Sequence, residues 1–133
     1  MELNELMSTS DFVQLALNLT DETKGLIGRR ELELMKSDAY LINVARAQIV
    51  DQTALLDALR NDRIAGYATD VFEEEPAYNH PLMELDNVVA TPHVAWNTPG
   101  AAKRILDIVV NNVSSSLEGT PKTSSSSDPA WTS

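Results

Sequence analysis

Four short apolar runs punctuate the chain, and each stops at a polar or turn-forming residue. They are Asp11–Leu17 (DFVQLAL), Tyr40–Ala45 (YLINVA), Ile64–Phe72 (IAGYATDVF) and Asn87–Thr91 (NVVAT). Runs of this length and β-branched content, closed by turn signals, predict buried strands. Between them, apolar residues recur at helical spacing. Glu2–Met7 puts Leu3 and Leu6 on one face, and Gly28–Lys36 does the same with Leu32 and Met35. Asp51 suits the N-cap of a helix through Arg60 that turns Leu55, Leu56 and Leu59 inward. Asn18–Lys24, Arg46–Val50 and Glu73–Pro81 read as loops, with a helical turn at Leu82–Leu85. Thr98-Pro99 joins an N-cap to a proline at the first helical position. The helix it opens carries Ala102, Ile105, Leu106, Val109, Val113 and Leu117 on one stripe, which reads as core, and Gly119 closes it. Thr120–Ser133, rich in Ser, Thr and Pro, is expected to be a mobile, disordered tail.

Strand and helix alternate throughout, so the fold class expected is α/β, a parallel sheet with helices covering its faces. Right-handed crossovers bring all strand C-termini to one edge, where open α/β sheets bind ligands. Arg46 follows the second strand, Asp70 and Glu75 the third, and His93 the fourth. All four residues are therefore expected on that edge. An arginine can grip a carboxylate in bidentate fashion and so orient an acid substrate. An imidazole beside a carboxylate can act as general acid or base on a hydroxyl or carbonyl oxygen. Asp70 could accept hydrogen bonds from a cofactor amide.

Composition narrows the reading. The chain has 133 residues, 43% of them hydrophobic, which suits one domain with a real core. Its net charge of −10 argues against nucleic acid and against anionic membranes. With no cysteine, disulfides and thiolate metal sites are out. No signal peptide or spanning segment is visible, so a cytoplasmic location is the expectation. Glu73 and Glu74 read as a solvated turn and His80 as a loop residue. The glutamates with His80 and His93 lack a fixed ligand spacing, so no metal is assigned.

The motifs resemble a known family. Leu41–Asp51 (LINVARAQIVD) is similar to the INxARGxxVD stretch of the NAD-dependent D-2-hydroxyacid dehydrogenases. DVFEEEP resembles their DVFxxEP stretch, and NVVATPH their NVxxTPH stretch, in the same order and spacing. The likeness covers residues 2–119, which resemble the second half of a Rossmann-like dinucleotide-binding domain. It implies that Arg46 binds the substrate carboxylate and α-oxygen, that His93 is the acid/base and that Glu75 supports it. Arg46, Glu75 and His93 are then the catalytic set. It also implies that Val44, Ala45, Arg46, Asp70 and His93 contact the nicotinamide end of NAD, with Val94, Ala95 and Trp96 lining the same pocket. A tryptophan there resembles the branch acting on glycerate, phosphoglycerate or hydroxypyruvate. The implied ligands are NAD, with NADP left open, and a small 2-hydroxy or 2-oxo acid. A homodimer is implied for the full-length family.

The chain departs from the pattern at three kinds of place. Ala47 and Gln48 stand where the family usually has glycines, and Asn18 stands where it has proline. The glycines at 25, 28, 66, 100 and 119 form no GxGxxG, so there is no phosphate cradle at a helix N-terminus. Most of the family's separate substrate domain has no counterpart either. Two functions follow as expectations. One is a fragment of an NAD-dependent oxidoreductase, inactive on its own. The other is a non-catalytic truncated paralogue that serves as an interaction or dimerisation module.

Overall fold

The computed structural model describes residues 2–95 and 97–120. The backbone falls into two compact units, Met1–Val94 and Ala95–Ser133. The first holds α1 (Leu3–Thr9), β1 (Phe12–Leu15), α2 (Arg29–Leu34), β2 (Tyr40–Asn43), α3 (Gln52–Arg60), β3 (Gly66–Thr69) and β4 (Val88–Ala90). Two 3-10 turns, Ala47–Ile49 and Pro81–Glu84, sit in its loops. The first of them falls in a segment that reads as plain loop in the sequence.

The strands are all parallel, in the order β1-β2-β3-β4. Successive residues of a strand face opposite sides of a sheet, so the register sorts the side chains into two faces. Val13, Leu41 and Tyr67 form one row, and Leu15, Asn43 and Thr69 another, on the buried face. Met7 of α1, Leu32 of α2, and Leu55 and Leu59 of α3 complete that core. Burying one such leucine contributes about 1.5–3 kcal/mol. Asp51 caps α3 as its position suggests, its side chain accepting from the Thr53 and Ala54 amides.

Helices on both faces are expected from the alternation, but within Met1–Val94 they cover only one. On the other face, Phe12 and Val89 are each 67% exposed, and Tyr40 stacks on Phe12 with ring centroids 5.5 Å apart. The cause is the direction of winding. Each right-handed crossover steps the same way along the sheet, which puts α2 and α3 on the same side. β1 is left as an edge strand.

The strands are also shorter than the apolar runs that mark them. The run Ile64–Phe72 gives a strand that ends at Thr69, because the Thr69 hydroxyl accepts the Val71 amide and pulls the chain out of the sheet. At the start of that strand, a Cβ on Gly66 would lie 2.7 Å from the Asn87 carbonyl oxygen and 3.0 Å from the Tyr40 ring. Backbone cannot yield as a side chain does. Gly66→Ala is therefore expected to destabilise the chain by about 1–3 kcal/mol, read as a lower urea midpoint at unchanged slope.

The second unit holds α4 (Pro99–Leu117), whose N-cap Thr98 accepts the Ala101 amide at 3.1 Å. Its apolar stripe reads as core in the sequence, yet Ile105, Leu106, Val109, Val113 and Leu117 are all exposed. Periodicity marks which side of a helix is apolar, not that anything covers it. Among the described residues no helix is long and apolar enough to cross a membrane. The expected tail lies, from residue 121 on, outside the described residues.

Candidate active site

Three loops leave the carboxyl-terminal edge of the sheet, the first carrying Arg46, the second Asp70 and Glu75, and the third His93. The first turns at Asn43, which is fully buried. Its side-chain Nδ2 donates to the Arg46 carbonyl at 2.9 Å, and its Oδ1 accepts the Ala45 amide at 3.0 Å. Both ends of one buried amide thus clamp the Val44–Arg46 backbone. Arg46 is exposed, and its guanidinium donates to the Ala45 carbonyl. A groove of about 530 Å³ opens beside it, lined by Leu17, Asn18, Val44, Ala45 and Arg46.

Thr69 closes the second turn. Its hydroxyl lies 3.0 Å from the carbonyl oxygens of both Asn43 and Val71, which ties the exits of β2 and β3 together. Burial pushes the neighbouring Tyr67 phenol up, partly offset by hydrogen bonding with Thr69 and Asn43. Asn43 and Thr69 are not among the site residues the sequence suggests. The signal for them was present, because strand alternation from Leu41 and Tyr67 turns both polar side chains toward the buried face. Next in line, the Asp70 Oδ1 is buried without a hydrogen-bond partner among the described residues. A buried carboxylate oxygen left unpaired is costly unless a ligand satisfies it.

The third loop brings in His93. Its Nδ1 stands 3.1 and 3.0 Å from the two Glu75 oxygens, within hydrogen-bond reach. The Phe72 amide donates to Glu75 Oε1 at 3.1 Å and fixes the carboxylate from behind. His93 has φ of +33°, a conformation that non-glycine residues rarely adopt and that clusters at functional sites. The hydrogen bonds from His93 and from the Phe72 amide hold the Glu75 carboxyl below its ordinary value, and the Arg46 charge adds to this. Both side chains of the pair are 39% exposed, so contact and not burial sets the direction.

That direction gives a test. A lowered folded-state pKa means the pair's contribution is present above the ordinary carboxyl value and is lost as pH falls through the lowered one. His93→Gln is expected to move the Glu75 titration, followed by carboxyl carbon NMR, up toward the ordinary carboxyl value.

The remaining expected residues divide. Val94 is exposed, Ala95 belongs to the second unit, and Trp96 lies outside the described residues. His80 caps the second 3-10 turn, its Nδ1 accepting the Leu82 amide, and packs edge-on against Phe72. Among the described residues no three His, Asp or Glu side chains cluster as a metal site would require.

A four-stranded parallel sheet with its polar groups gathered on the carboxyl edge is the architecture of a Rossmann-like dinucleotide-binding domain, here in part. Residues 1–95 match the family described as D-isomer specific 2-hydroxyacid dehydrogenase, NAD binding domain. Glyoxylate reductase of Thermococcus gammatolerans is 50% identical over 111 residues, which is 84% of this chain and 33% of that protein. D-3-phosphoglycerate dehydrogenase of Methanocaldococcus jannaschii is 42% identical over 118 residues, 89% of this chain and 22% of the relative. The solved structure of a D-isomer specific 2-hydroxyacid dehydrogenase from Lactobacillus delbrueckii ssp. bulgaricus, in its NAD complexed form, superposes with a TM-score of 0.82 at 30% identity. That match covers 93% of this chain and 42% of the other. The chain belongs to the D-isomer specific 2-hydroxyacid dehydrogenase family, in its NAD-binding domain. It spans about a third of the length of the curated relatives it matches first.

Proposed function

We propose that this chain is part of an NAD-dependent enzyme that interconverts a small D-2-hydroxy acid and its 2-oxo acid, with residues 1–119 forming part of the cofactor domain. The observation that carries the reading is the Glu75–His93 pair, 3.0 Å apart on the sheet edge where Arg46 also emerges. Arg46 grips the substrate carboxylate and steadies the α-oxygen. Glu75 occupies Nδ1 of His93, so Nε2 is the nitrogen left to face that oxygen. In the reductive direction His93 gives the oxygen a proton, and in the oxidative direction it takes one.

The residues present fit one end of the cofactor. The unpartnered Asp70 Oδ1 suits the amide hydrogens of a carboxamide, and the Val44–Ala45 backbone lines the groove beside Arg46. Bound there, NAD supplies the hydride exchange at the substrate carbon. The five glycines offer no cradle for its pyrophosphate, so that part of the binding must come from polypeptide beyond this chain.

The test is a chimera in which this chain replaces the matching segment of the Thermococcus gammatolerans glyoxylate reductase. NADH-dependent reduction of glyoxylate or hydroxypyruvate is the expected result. A folded chimera that binds NADH and shows no turnover would overturn the assignment.

A further inference from the structure

Beside the Glu75–His93 pair lies a cavity of about 350 Å³ that the reaction itself does not require. Phe72, Pro76, Ala77, Met83 and Ala90 make most of its wall, and among the described residues no lysine or arginine lines it. We infer that this cavity receives an apolar, uncharged substituent on the third carbon of the substrate, so that the site takes 2-oxo acids with a branched aliphatic side chain in preference to phosphorylated ones. The inference rests on the reading of Arg46 and His93 given above.

The order of the strands sets the direction. Arg46 leaves β2, Glu75 follows β3 and His93 follows β4, so the groups lie along the sheet edge in that sequence. A substrate with its carboxylate on Arg46 and its carbonyl on His93 runs from the β2 side toward the β4 side. Its third carbon continues that way, toward the cavity formed by the β3 and β4 loops. Water finds polar partners only where Glu75, Thr91 and His93 line the cavity and gains little against the apolar remainder of the wall. A phosphate fares worse. It would meet the Glu75 carboxylate with only His93, already paired to that carboxylate, as a positive group in the wall, in a chain of net charge −10. An alkyl group instead removes its own apolar surface and that of the wall from water. On transfer values, a four-carbon group should tighten binding at least about tenfold over glyoxylate, which has no substituent.

Methyl-labelled methionine makes this measurable without turnover. Met83 is 51% exposed on the cavity, whereas Met7 and Met35 are buried in the core and serve as internal references. The full chain is titrated with 4-methyl-2-oxopentanoate, glyoxylate and 3-phosphonooxypyruvate while the Met83 methyl and His93 ring signals are followed. The expected result is that the branched acid shifts both signals, with an apparent Kd at least about tenfold below that of glyoxylate, which shifts His93 alone. Ala77→Leu, which fills the cavity, should abolish the Met83 response and keep the His93 response. A His93 shift with Met83 unmoved would overturn the cavity assignment and leave the acid/base reading standing. Equal Met83 shifts from the phosphorylated acid would also overturn it, as would shifts that track protein concentration instead of ligand, which would mark a contact between copies. If neither signal moves with any acid, the cavity assignment falls, and the reading of Arg46 and His93 is decided separately by turnover of the chimera.

Discussion

Calorimetry of the isolated chain with NADH is expected to show no binding tighter than about 1 mM, an affinity of about −4.1 kcal/mol. In this fold the dinucleotide is held largely at its pyrophosphate, by backbone amides of a glycine loop at a helix N-terminus. The glycines here stand in other roles. Gly25 adopts φ of +66° in the loop before α2, Gly28 precedes that helix as its N-cap, and Gly66 lies in a strand against the Asn87 carbonyl. With Gly100 and Gly119 they give no GxGxxG spacing between a strand and a helix. A chain of net charge −10 further repels an anionic ligand. What is left to the cofactor is a groove beside Arg46 and one unpartnered oxygen of Asp70. The chimera, which regains the relative's phosphate loop, should bind NADH, and the difference between the two proteins measures what the loop contributes. Micromolar heat from the isolated chain would mean that the nicotinamide end alone holds the cofactor.

Much of the architecture is legible because each strand and cap announces itself locally. The run YLINVA is apolar, stops at an arginine and becomes β2, and Asp51 caps α3 through two amides. Strand lengths are less legible. The run Ile64–Phe72 is apolar enough for nine residues of strand, but the Thr69 hydroxyl ends β3 after four by bonding Val71. Whether a face is covered is a tertiary fact. The register puts Phe12 and Tyr40 side by side, yet nothing local to either residue says that their face stays open.

The site divides in a similar way. Its reactive groups stand out because arginine, aspartate, glutamate and histidine interrupt apolar runs. The groups that hold them do not, because Asn43 and Thr69 sit inside those runs and read as minor blemishes in a strand. Only once alternation is followed do they emerge as a buried polar layer that ties the exits of β2 and β3 together. Thr69 receives from Val71 and reaches the Asn43 carbonyl, and Asn43 clamps Ala45 and Arg46. The cost of burying such groups is met by pairing every one of them. Asp70 Oδ1 departs from that rule among the described residues, which makes it stand out as a ligand contact.

In the chimera, His93→Gln is expected to lower kcat by about 10²–10⁴-fold, the usual loss when a positioned acid/base is removed. Glutamine can keep a hydrogen bond to Glu75, so the loop geometry survives, but its amide cannot exchange a proton with the substrate oxygen. KM for the 2-oxo acid should change far less, because the carboxylate rests on Arg46. Arg46→Lys should act the other way and raise KM, since an ammonium cannot reproduce the planar bidentate grip. Glu75→Gln should fall between wild type and His93→Gln in kcat. It keeps an oxygen for the Phe72 amide, which now bonds Glu75 at 3.1 Å, but loses the charge that faces the imidazole. These three variants separate proton transfer, substrate grip and electrostatic support, because each moves a different kinetic constant or moves it by a different amount. If His93→Gln raised KM and spared kcat, the imidazole would be binding substrate without transferring a proton, and the acid/base role would pass to another group on this edge.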